Sequence, residues 1–455
     1  MAARVFIALA LAAASVDADA TPFNGNATAP RQVHLAFTED PTGMLFSWTT
    51  GTPMWAPPAP ADSPNATSPA VVYGTSPSAL TKMAASNYSL MYRGVGDVTH
   101  RVNVSGLAPS TRYYYAVGDA VLNQWSAVFS FFSRARADAD AVIDMIAFGD
   151  MGYWNGSSVI VQEAIATELA RGERDYSFIT HVGDISYAGP GSGDNETKDT
   201  LLWDLFMDEI QPISSAASYL VAPGNHDVLT GNSGTECGVV YTHRFKMPHQ
   251  NESSTDFSCT TSQNVIYWYS LAVGPVWLHS FSTEHSYLPG SPQRAWIERD
   301  LAAAAAARAA GKVSWLIVQM HYPSMCSHSY DSGEDGCIHG AALMRSQLES
   351  LWRSAGVDAV LFGHIHAAEV TWPVYNATAV QYNYERPTAP VHFLIGMAGA
   401  GYLGPWQAVQ PAWSAWRDQV WGWTRFHIEG RSRLDFYFYS YRNSTHPAWN
   451  MSITR

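Results

Sequence analysis

The sequence predicts a small all-β domain near the N-terminus and a larger α/β domain after it. From about residue 32 to residue 135, short apolar runs are separated by turns rich in glycine and proline, a pattern typical of β-sandwiches. From residue 141 to residue 455, strand-like apolar runs alternate with segments of helical spacing, which favours an α/β layer structure. The charged, alanine-rich stretch 135–140 lies between the two patterns and indicates a linker.

The first domain contains a recognisable corner. Strands are predicted at 32–37 and 44–48, and the Pro-rich run 53–69 is expected to be a loop, because proline lacks the N–H that a strand ladder needs. The segment Leu107–Tyr115 reads LAPSTRYYY and resembles the Leu-x-Pro-x-Thr-x-Tyr corner of fibronectin type III domains. In such sandwiches a tyrosine hydroxyl fixes the corner to nearby backbone. Residues 32–135 are therefore predicted to form a fibronectin type III-like sandwich.

Periodicity places the elements of the second domain. Strands are predicted at 143–148, 176–182, 218–223, 313–319 and 357–362. Helices are predicted at 159–170, 203–210, 301–310 and 343–355.

Composition limits the partners. The chain carries 26 basic and 39 acidic residues, a net charge of −13, which argues against a nucleic-acid partner held by phosphate contacts. An acidic protein can still bind phosphate if metal ions reverse the charge locally. After the N-terminal stretch, apolar runs stay below the roughly 18 residues of a membrane span.

Several features predict export. Arg4 precedes the apolar stretch 5–16, and Ala18-Asp19-Ala20 follows as a small-x-small cleavage pattern, so residues 1–20 are predicted to be a signal peptide; the alternative is an N-terminal core helix. N-linked glycans are expected at the Asn-x-Ser/Thr sequons. These are Asn26, Asn65, Asn87, Asn103, Asn155, Asn195, Asn251, Asn376, Asn443 and Asn450. We expect a secreted or extracellular glycoprotein, with a vacuole- or lysosome-like compartment as the alternative.

The four cysteines predict two disulfides in an exported chain. They are Cys237, Cys259, Cys326 and Cys337. Pairing in sequence order is the simplest of the three connectivities. Metal ligation by these thiols is the alternative, but the sequence contains no Cys-x-x-Cys pair to support it.

Five short blocks lie at or just past the ends of predicted strands. They are Gly149-Asp150-Met151-Gly152, Gly183-Asp184-Ile185-Ser186-Tyr187, Gly224-Asn225-His226-Asp227, Val318-Gln319-Met320-His321 and Gly363-His364-Ile365-His366. Singly, most are compatible with turn residues or core histidines. Because α/β sheets place their sites outside the carboxyl ends of strands, the five blocks together predict one site built from carboxylates, a phenol, an amide and imidazoles.

The block set resembles that of purple acid phosphatases, in the metallophosphoesterase superfamily. The likeness extends through Arg244–Pro248, Ser282–His285 and Trp372–Asn376, and covers nearly the whole chain after the signal segment. It implies a calcineurin-like catalytic domain over residues 141–455, a four-layer α/β/β/α sandwich whose C-terminal family segment is about 388–455. The N-terminal sandwich is typical of the large form of the family.

The resemblance also implies a ligand set. Asp150, Tyr187 and His366 would bind Fe(III), and Asn225, His321 and His364 would bind a divalent ion, which in the family is zinc, manganese or iron. Asp184 would bridge the two ions. Most metallophosphoesterases lack a tyrosine ligand at this position. A phenol with a pKa of ~10 needs a strong Lewis acid to ionise, so Tyr187 favours ferric iron. Its alternative role is that of an ordinary core tyrosine.

A charge tally agrees with an anionic substrate. Fe(III) and a divalent ion carry five positive charges, and the anions of Asp150, Asp184 and Tyr187 leave two. The resemblance implies two-metal hydrolysis of phosphate monoesters at acidic pH, with ions roughly 3.5–4 Å apart and a metal-bound hydroxide attacking in line. A preference for phosphodiesters or nucleotide pyrophosphates is the alternative. A non-catalytic recognition glycoprotein is a third hypothesis, which the intact ligand set disfavours.

Three further histidines are catalytic candidates. His226 resembles the family's substrate-binding histidine, and His339 or His328 would protonate the leaving group from the loop after His321. A Cys326–Cys337 disulfide would fold that loop over the site. The chain departs from the family pattern Ala-Tyr-Glu-Arg after His366, where it reads AAEV, so we expect an altered support for the ligands.

Overall fold

The computed structural model describes residues 26–51, 68–86, 88–91, 97–153, 156–188, 196–228, 239–248, 267–331, 333, 336–443 and 445–455. The predicted signal peptide, five of the sequons, and Cys237 and Cys259 lie outside these residues. So do residues 53–67 of the predicted Pro-rich loop 53–69, whose last residue, Pro69, begins a strand.

The first third of the chain is all β. Its strands are β1 Arg31–Phe37, β2 Met44–Gly51, β3 Pro69–Gly74, β4 Lys82–Ala85, β5 Ser89–Met91, β6 Asp97–Val104, β7 Arg112–Asp119, β8 Gln124–Trp125 and β9 Phe129–Phe132. They form two layers, because β1, β2, β6 and β5 pair in one sheet and β4, β3, β7 and β8 in another, with β9 beside β7. The predicted tyrosine corner is confirmed: the Ala108 backbone N–H donates to Tyr113 Oη at 3.0 Å.

The rest of the chain alternates strands and helices. Its strands are β10 Val142–Phe148, β11 Tyr176–Val182, β12 Ser218–Ala222, β13 Tyr269–Val273, β14 Val276–Ser280, β15 Trp315–Gln319, β16 Ala359–Phe362, β17 Ala368–Thr371, β18 Val374–Tyr375, β19 Thr378–Ala379, β20 Val391–Ile395, β21 Ser414–Asp418, β22 Gly422–Glu429, β23 Arg433–Ser440 and β24 Trp449–Thr454. Its helices are α1 Ser157–Arg171, α2 Glu196–Ser214, α3 Asn225–Val228, α4 Val239–Arg244, α5 Pro292–Ala309 and α6 His339–Ala355.

These elements build two large sheets with helices outside them, and β18 and β19 pair in a separate two-stranded sheet. The first sheet has the order β24-β23-β22-β10-β11-β12-β1-β2-β6-β5, and the second has the order β13-β14-β15-β16-β20-β17-β21. Helix α2 packs on the first sheet, while α5 packs on the second sheet and against α6. One continuous apolar core joins both sheets. The predicted fold class, an N-terminal β domain followed by a calcineurin-like α/β domain, is confirmed.

The first sheet runs across the boundary between the two predicted domains. Strand β1 pairs in parallel with β12, with Leu35 opposite Ser218. The Phe37 N–H donates to Ser218 Oγ at 2.9 Å, and Tyr115 Oη donates to the Ser215 carbonyl at 2.8 Å. The sandwich is therefore hydrogen-bonded into the first sheet of the α/β domain rather than tethered by the linker alone.

Parallel strands bring the five blocks to one edge. Strands β10, β11 and β12 are mutually parallel, as are β15 and β16 in the second sheet. Each of these strands is followed by one block, so their side chains share the carboxyl edge of the sheets. Among the described residues, no helix is long and apolar enough to cross a membrane.

Candidate metal centre

Four residues of the blocks have backbone conformations that side chains usually avoid. Asp150, Asp184, Tyr187 and His364 have φ values of 58°, 51°, 54° and 68°. Non-glycine residues with positive φ are uncommon, and such strain is concentrated at functional sites. Here the sharp turn after each strand directs the side chain towards a common centre.

One half of the centre is rich in oxygen. Tyr187 Oη donates to Asp150 Oδ1 at 3.0 Å and lies 2.8 Å from His366 Nε2, which is itself 3.5 Å from Asp150 Oδ1. His366 Nδ1 donates to the Gly401 carbonyl, which fixes the ring and directs Nε2 at the other two groups. A carboxylate, a phenol and one imidazole therefore share a single point.

The other half is rich in nitrogen. Asn225 Oδ1 lies 3.1 Å from His321 Nε2 and 3.1 Å from His364 Nδ1. His321 Nδ1 donates to the Val182 carbonyl at 2.9 Å, so in the neutral ring the lone pair of Nε2 faces the amide oxygen. Two facing lone pairs repel unless a cation or a proton lies between them, so this half fits a metal ion.

Asp184 lies between the two halves. Its Oδ1 is 3.3 Å from His321 Nε2, and ligand atoms of Asp184, His321 and His364 all lie within 4.8 Å of one another. Asp184 Oδ1 also accepts from the His226 backbone N–H at 2.9 Å. The carboxylate is 1 % exposed, and its place between the two halves suits a bridging ligand.

The electrostatics show that protons and metal ions compete for this centre. Burial lowers the pKa of His321, but the charge and hydrogen bond of Asp184, together with the charges of Asp150 and Glu284, outweigh burial and raise that pKa to about 10. Burial, together with Asp150 and Asp184, raises the pKa of Tyr187 well above its usual value. Burial opposes ionisation of Asp184, yet the neighbouring His321 and His226 hold its pKa below the usual range. Metal binding must therefore displace protons.

Two glycines leave space that the ligands occupy. A Cβ on Gly183, whose φ is +91°, would lie 2.7 Å from His321 Cγ and 2.9 Å from His321 Cβ. A Cβ on Gly224 would lie 2.5 Å from the Asp184 backbone nitrogen and 2.9 Å from His321 Nε2. Both positions require glycine because the ligand loops pack directly against them.

Asp227 is a support that the sequence analysis missed. Its Oδ1 accepts from the Ile185 N–H at 3.0 Å and its Oδ2 from the Gly224 N–H at 2.9 Å, so one buried carboxyl ties two ligand loops together. The sequence signal that could have identified Asp227 was its position two residues after the predicted ligand Asn225. The carbonyls that orient the ligand histidines could not be identified from sequence, because every residue carries one.

The three further histidines lie in different environments. The ring of His226 is 4.5 Å from that of Tyr187, its Nε2 is 4.0 Å from Asp184 Oδ2, and its side chain is 32 % exposed. His328 is buried, with Nε2 donating to the Gly404 carbonyl and Nδ1 accepting from the Tyr330 N–H.

His339 lies at the start of α6, is 75 % exposed and pairs with Asp331 at 2.6 Å. The structure therefore brings His226 to the centre. It shows no hydrogen bond from His328 or His339 to the seven ligand candidates within the described residues.

The loop after His321 is held from two sides. The predicted Cys326–Cys337 disulfide is present, which confirms that part of the pairing. Glu369 accepts from the Ser327 N–H at 2.7 Å and from Ser327 Oγ at 2.5 Å. Arg417, opposite Glu369 in the sheet, donates to Ser327 Oγ at 2.8 Å.

The departure from the family pattern lies in β17. Ala368 and Val370 are buried in this strand, 1 % and 0 % exposed, on either side of Glu369. Where the family pattern has an arginine, this chain has the apolar Val370. Two other arginines donate to the loop after His321: Arg417 of β21 to Ser327 and Arg345 of α6 to the Ser324 carbonyl.

The comparisons with known proteins agree with this geometry. Three family models match in order: "Purple acid Phosphatase, N-terminal domain" over residues 30–133, "Calcineurin-like phosphoesterase" over 144–368 and "Iron/zinc purple acid phosphatase-like protein C" over 389–446. The human protein "Acid phosphatase type 7" is 30 % identical over 423 residues, covering 88 % of this chain and 85 % of its own. "Probable inactive purple acid phosphatase 1" of Arabidopsis thaliana is also 30 % identical, and the match covers 74 % of this chain but 54 % of that protein.

A solved structure extends the likeness to the fold. The purple acid phosphatase PPD1 from yellow lupin superposes with a TM-score of 0.77 at 22 % identity, covering 94 % of this chain and 75 % of its own. Sequence and fold agree, and the chain belongs to the purple acid phosphatase family of metallophosphoesterases.

Proposed function

We propose that the chain is an acid phosphatase that hydrolyses phosphate monoesters at a binuclear Fe(III)–M(II) centre. The observation that carries the proposal is the contact of Tyr187 Oη with both Asp150 and His366, beside the nitrogen-rich half around Asn225. A buried cluster of this kind has the donor set of two different ions, because hard oxygens suit ferric iron and imidazoles with an amide oxygen suit a divalent metal.

Each half of the cluster would hold one ion. Asp150, Tyr187 and His366 would bind iron, and Asn225, His321 and His364 would bind zinc, manganese or a second iron, with Asp184 between them. When bound, the ions would supply the attacking oxygen and the positive charge that holds the phosphoryl group. With three protein anions among the ligands, the filled centre keeps two positive charges and attracts a phosphate dianion.

His226 would contact the substrate. Its ring lies on the exposed side of the centre, and the Tyr187 ring beneath it limits its movement. An imidazole there can donate a hydrogen bond to the bound phosphoryl group or a proton to the leaving oxygen.

His339 is the second candidate for the proton donor, because its exposed ring lies at the start of α6, two residues after the Cys326–Cys337 disulfide. His328 is the third, but both of its ring nitrogens already bond to protein groups. Comparison of His226→Asn and His339→Asn separates the roles: loss of kcat with a leaving group of high pKa, and little loss with p-nitrophenolate, identifies the proton donor.

The substrate class is tested with matched esters. We expect kcat/KM for p-nitrophenyl phosphate to exceed that for bis(p-nitrophenyl) phosphate, because the doubly charged monoester better neutralises the centre. The reverse order would favour the phosphodiester alternative. Absence of hydrolysis of either ester by protein that holds both metals would contradict the enzymatic proposal.

The iron assignment is tested by colour. A phenolate bound to Fe(III) gives a charge-transfer band, so the metal-loaded protein should be purple and Tyr187→Phe should lose the band. Tyr322→Phe is the control, since Tyr322 follows His321 directly but its hydroxyl donates to Glu284 Oε2 at 3.0 Å. An unchanged spectrum in Tyr187→Phe, with iron still bound, would refute the assignment.

We also propose that the chain is an exported glycoprotein. The five sequon asparagines among the described residues are all exposed: Asn26, Asn103, Asn376, Asn443 and Asn450. The proposal keeps residues 1–20 as the signal peptide, 32–135 as the sandwich and 141–455 as the catalytic domain. Recovery from the medium of a protein that starts near residue 21 and loses mass on glycosidase treatment would support it; intracellular, unglycosylated protein would contradict it.

A further inference from the structure

A second group of charged side chains lies at the far end of the second sheet. A cavity of about 390 Å³, here called the arginine cavity, is lined by four arginines and one carboxylate. These are Arg308, Arg353, Arg386, Arg455 and Asp358. Asp358 directly precedes β16 and His364 follows that strand, so four strand residues at ~3.3 Å each place the cavity at least about 13 Å from the metal centre.

Two of the arginines neutralise the carboxylate. Arg308 pairs with Asp358 Oδ2 and Arg455 pairs with Asp358 Oδ1. Arg308 also donates to the Gly356 carbonyl at 2.5 Å, and Arg455 to the Ser314 carbonyl at 2.7 Å. One negative charge is thus shared by two guanidinium groups, which leaves this half of the cavity positive.

The other two arginines, Arg353 and Arg386, line the cavity with exposed side chains. Of the described residues, none forms a salt bridge with Arg353 or Arg386. The Arg353 guanidinium lies 4.2 Å from the centre of the Tyr375 ring, which holds its plane and leaves its N–H edge available. Glu349, one helical turn before Arg353, attracts that guanidinium, but its carboxylate accepts from the Asn376 N–H at 2.8 Å and is not one of the groups that line the cavity.

The net charge of the groups that line the cavity indicates an anionic ligand. Helices α5 and α6 both end at the cavity, and each C-terminus contributes roughly −0.5 of a charge. Among the groups that line the cavity, subtracting these partial charges and Asp358 from the four arginines leaves an excess of about two positive charges. The excess lies in a chain whose net charge is −13, so it is a local feature. The cavity volume falls within the range of about 300–1,000 Å³ typical of small-molecule sites, well above the need of a single ion.

We propose that the arginine cavity binds a small organic dianion whose oxygens match the guanidinium fork. A phosphate ester and a dicarboxylate share this chemistry, because both accept paired hydrogen bonds from arginine. The site is distinct from the metal centre and does not depend on the function proposed for that centre.

Calorimetric titration of the metal-loaded protein at low salt tests the site with probes that the enzyme cannot hydrolyse. Phenylphosphonate represents the phosphate ester and phthalate the dicarboxylate. We expect at least one to bind, and the double variant Arg353→Gln/Arg386→Gln to weaken it at least roughly tenfold, since the variant loses charge-assisted hydrogen bonds to the dianion. The tighter of the two probes identifies the ligand class.

Arg299→Gln is the matched control. Arg299 is exposed on the same helix as Arg308 and lies nine residues before it. Its substitution therefore removes the same charge about 13 Å away from the cavity. It should leave probe affinity within twofold, and benzoate, with one charge, should bind at least tenfold more weakly than phthalate.

The double variant should melt like Arg299→Gln and keep its phosphatase activity, because neither substituted residue is buried. Binding that is equal in the double variant and the wild type would belong to the metal centre and would overturn the proposal. Absence of binding by either probe would also overturn it.

Discussion

Gly183→Ala tests whether the ligand loops are packed as closely as the structure indicates. The new Cβ would lie 2.7 Å from His321 Cγ, whereas carbon atoms in contact are normally ~3.5–4.0 Å apart, so the imidazole must retreat by about 1 Å. Its Nδ1 bond to the Val182 carbonyl would then be broken and its Nε2 moved from the ligand position. Metal sites tolerate about 0.2 Å of ligand displacement, so we expect loss of the divalent ion and at least a 100-fold fall in kcat/KM.

The backbone strain of the substitution needs its own control. Gly183 and Gly290 both have a φ of +91°, but nothing lies within 4 Å of a Cβ placed on Gly290. Both alanine variants should lose about 1–2 kcal/mol of unfolding free energy from the left-handed backbone. Only Gly183→Ala should lose metal, measured by elemental analysis after gel filtration. Full metal content and activity in Gly183→Ala would refute the packing argument.

Three further predictions follow from buried polar groups. Asp227→Ala leaves two buried N–H groups unpaired at the centre, so metal affinity, measured by competition with a chelator, should fall at least roughly tenfold. Unchanged affinity would contradict the role of Asp227 in holding the two ligand loops together. Burial lowers the pKa of His392 from 6.5 to about 3, so its contribution to stability is lost as pH falls below 6.5. Between pH 7 and pH 5 the wild type should therefore lose about 2 kcal/mol more than His392→Gln in urea unfolding, and equal losses would refute this. Arg31→Met leaves two aspartates at the domain boundary without their cation and should lower the free energy of unfolding by about 3 kcal/mol. Arg112→Met breaks the exposed ion pair of Arg112 with Asp175 and should lower the free energy of unfolding by less than about 1 kcal/mol. Equal losses in the Arg31 and Arg112 variants would contradict the boundary role of Arg31.

The sequence predicted most of the elements that carry the site. All five predicted strands of the α/β domain are present, and the strand 176–182 has the predicted bounds. The predicted helices are present but longer: the helix expected at 301–310 begins at Pro292, because Ser291 caps it and proline fits the first turn. Strands β13 and β14 and the strands after β16 were not predicted. Their extended conformation depends on pairing with neighbouring strands in the sheet more than on a local sequence pattern.

The backbone groups that orient the ligands of the centre could not be predicted from the sequence. The Gly401 carbonyl that orients His366 is 35 residues away, and no side-chain type marks it. The same holds for the parallel pairing of β1 with β12, which joins residues about 180 positions apart. Such contacts form between backbone groups that every residue carries, so their partners depend on how the sheets assemble.

The sequence by itself determined which groups were available: two carboxylates, a phenol, an amide and three imidazoles, each placed after a strand with a turn that directs it outward. Local chemistry decides these features, because residue type and hydrophobic period are properties of short segments. Only the tertiary structure decided that His226 reaches the centre whereas His328 is held by Gly404, and that four arginines from distant segments enclose one cavity. Distances between remote segments follow from the packing of whole sheets and helices, which no short segment specifies.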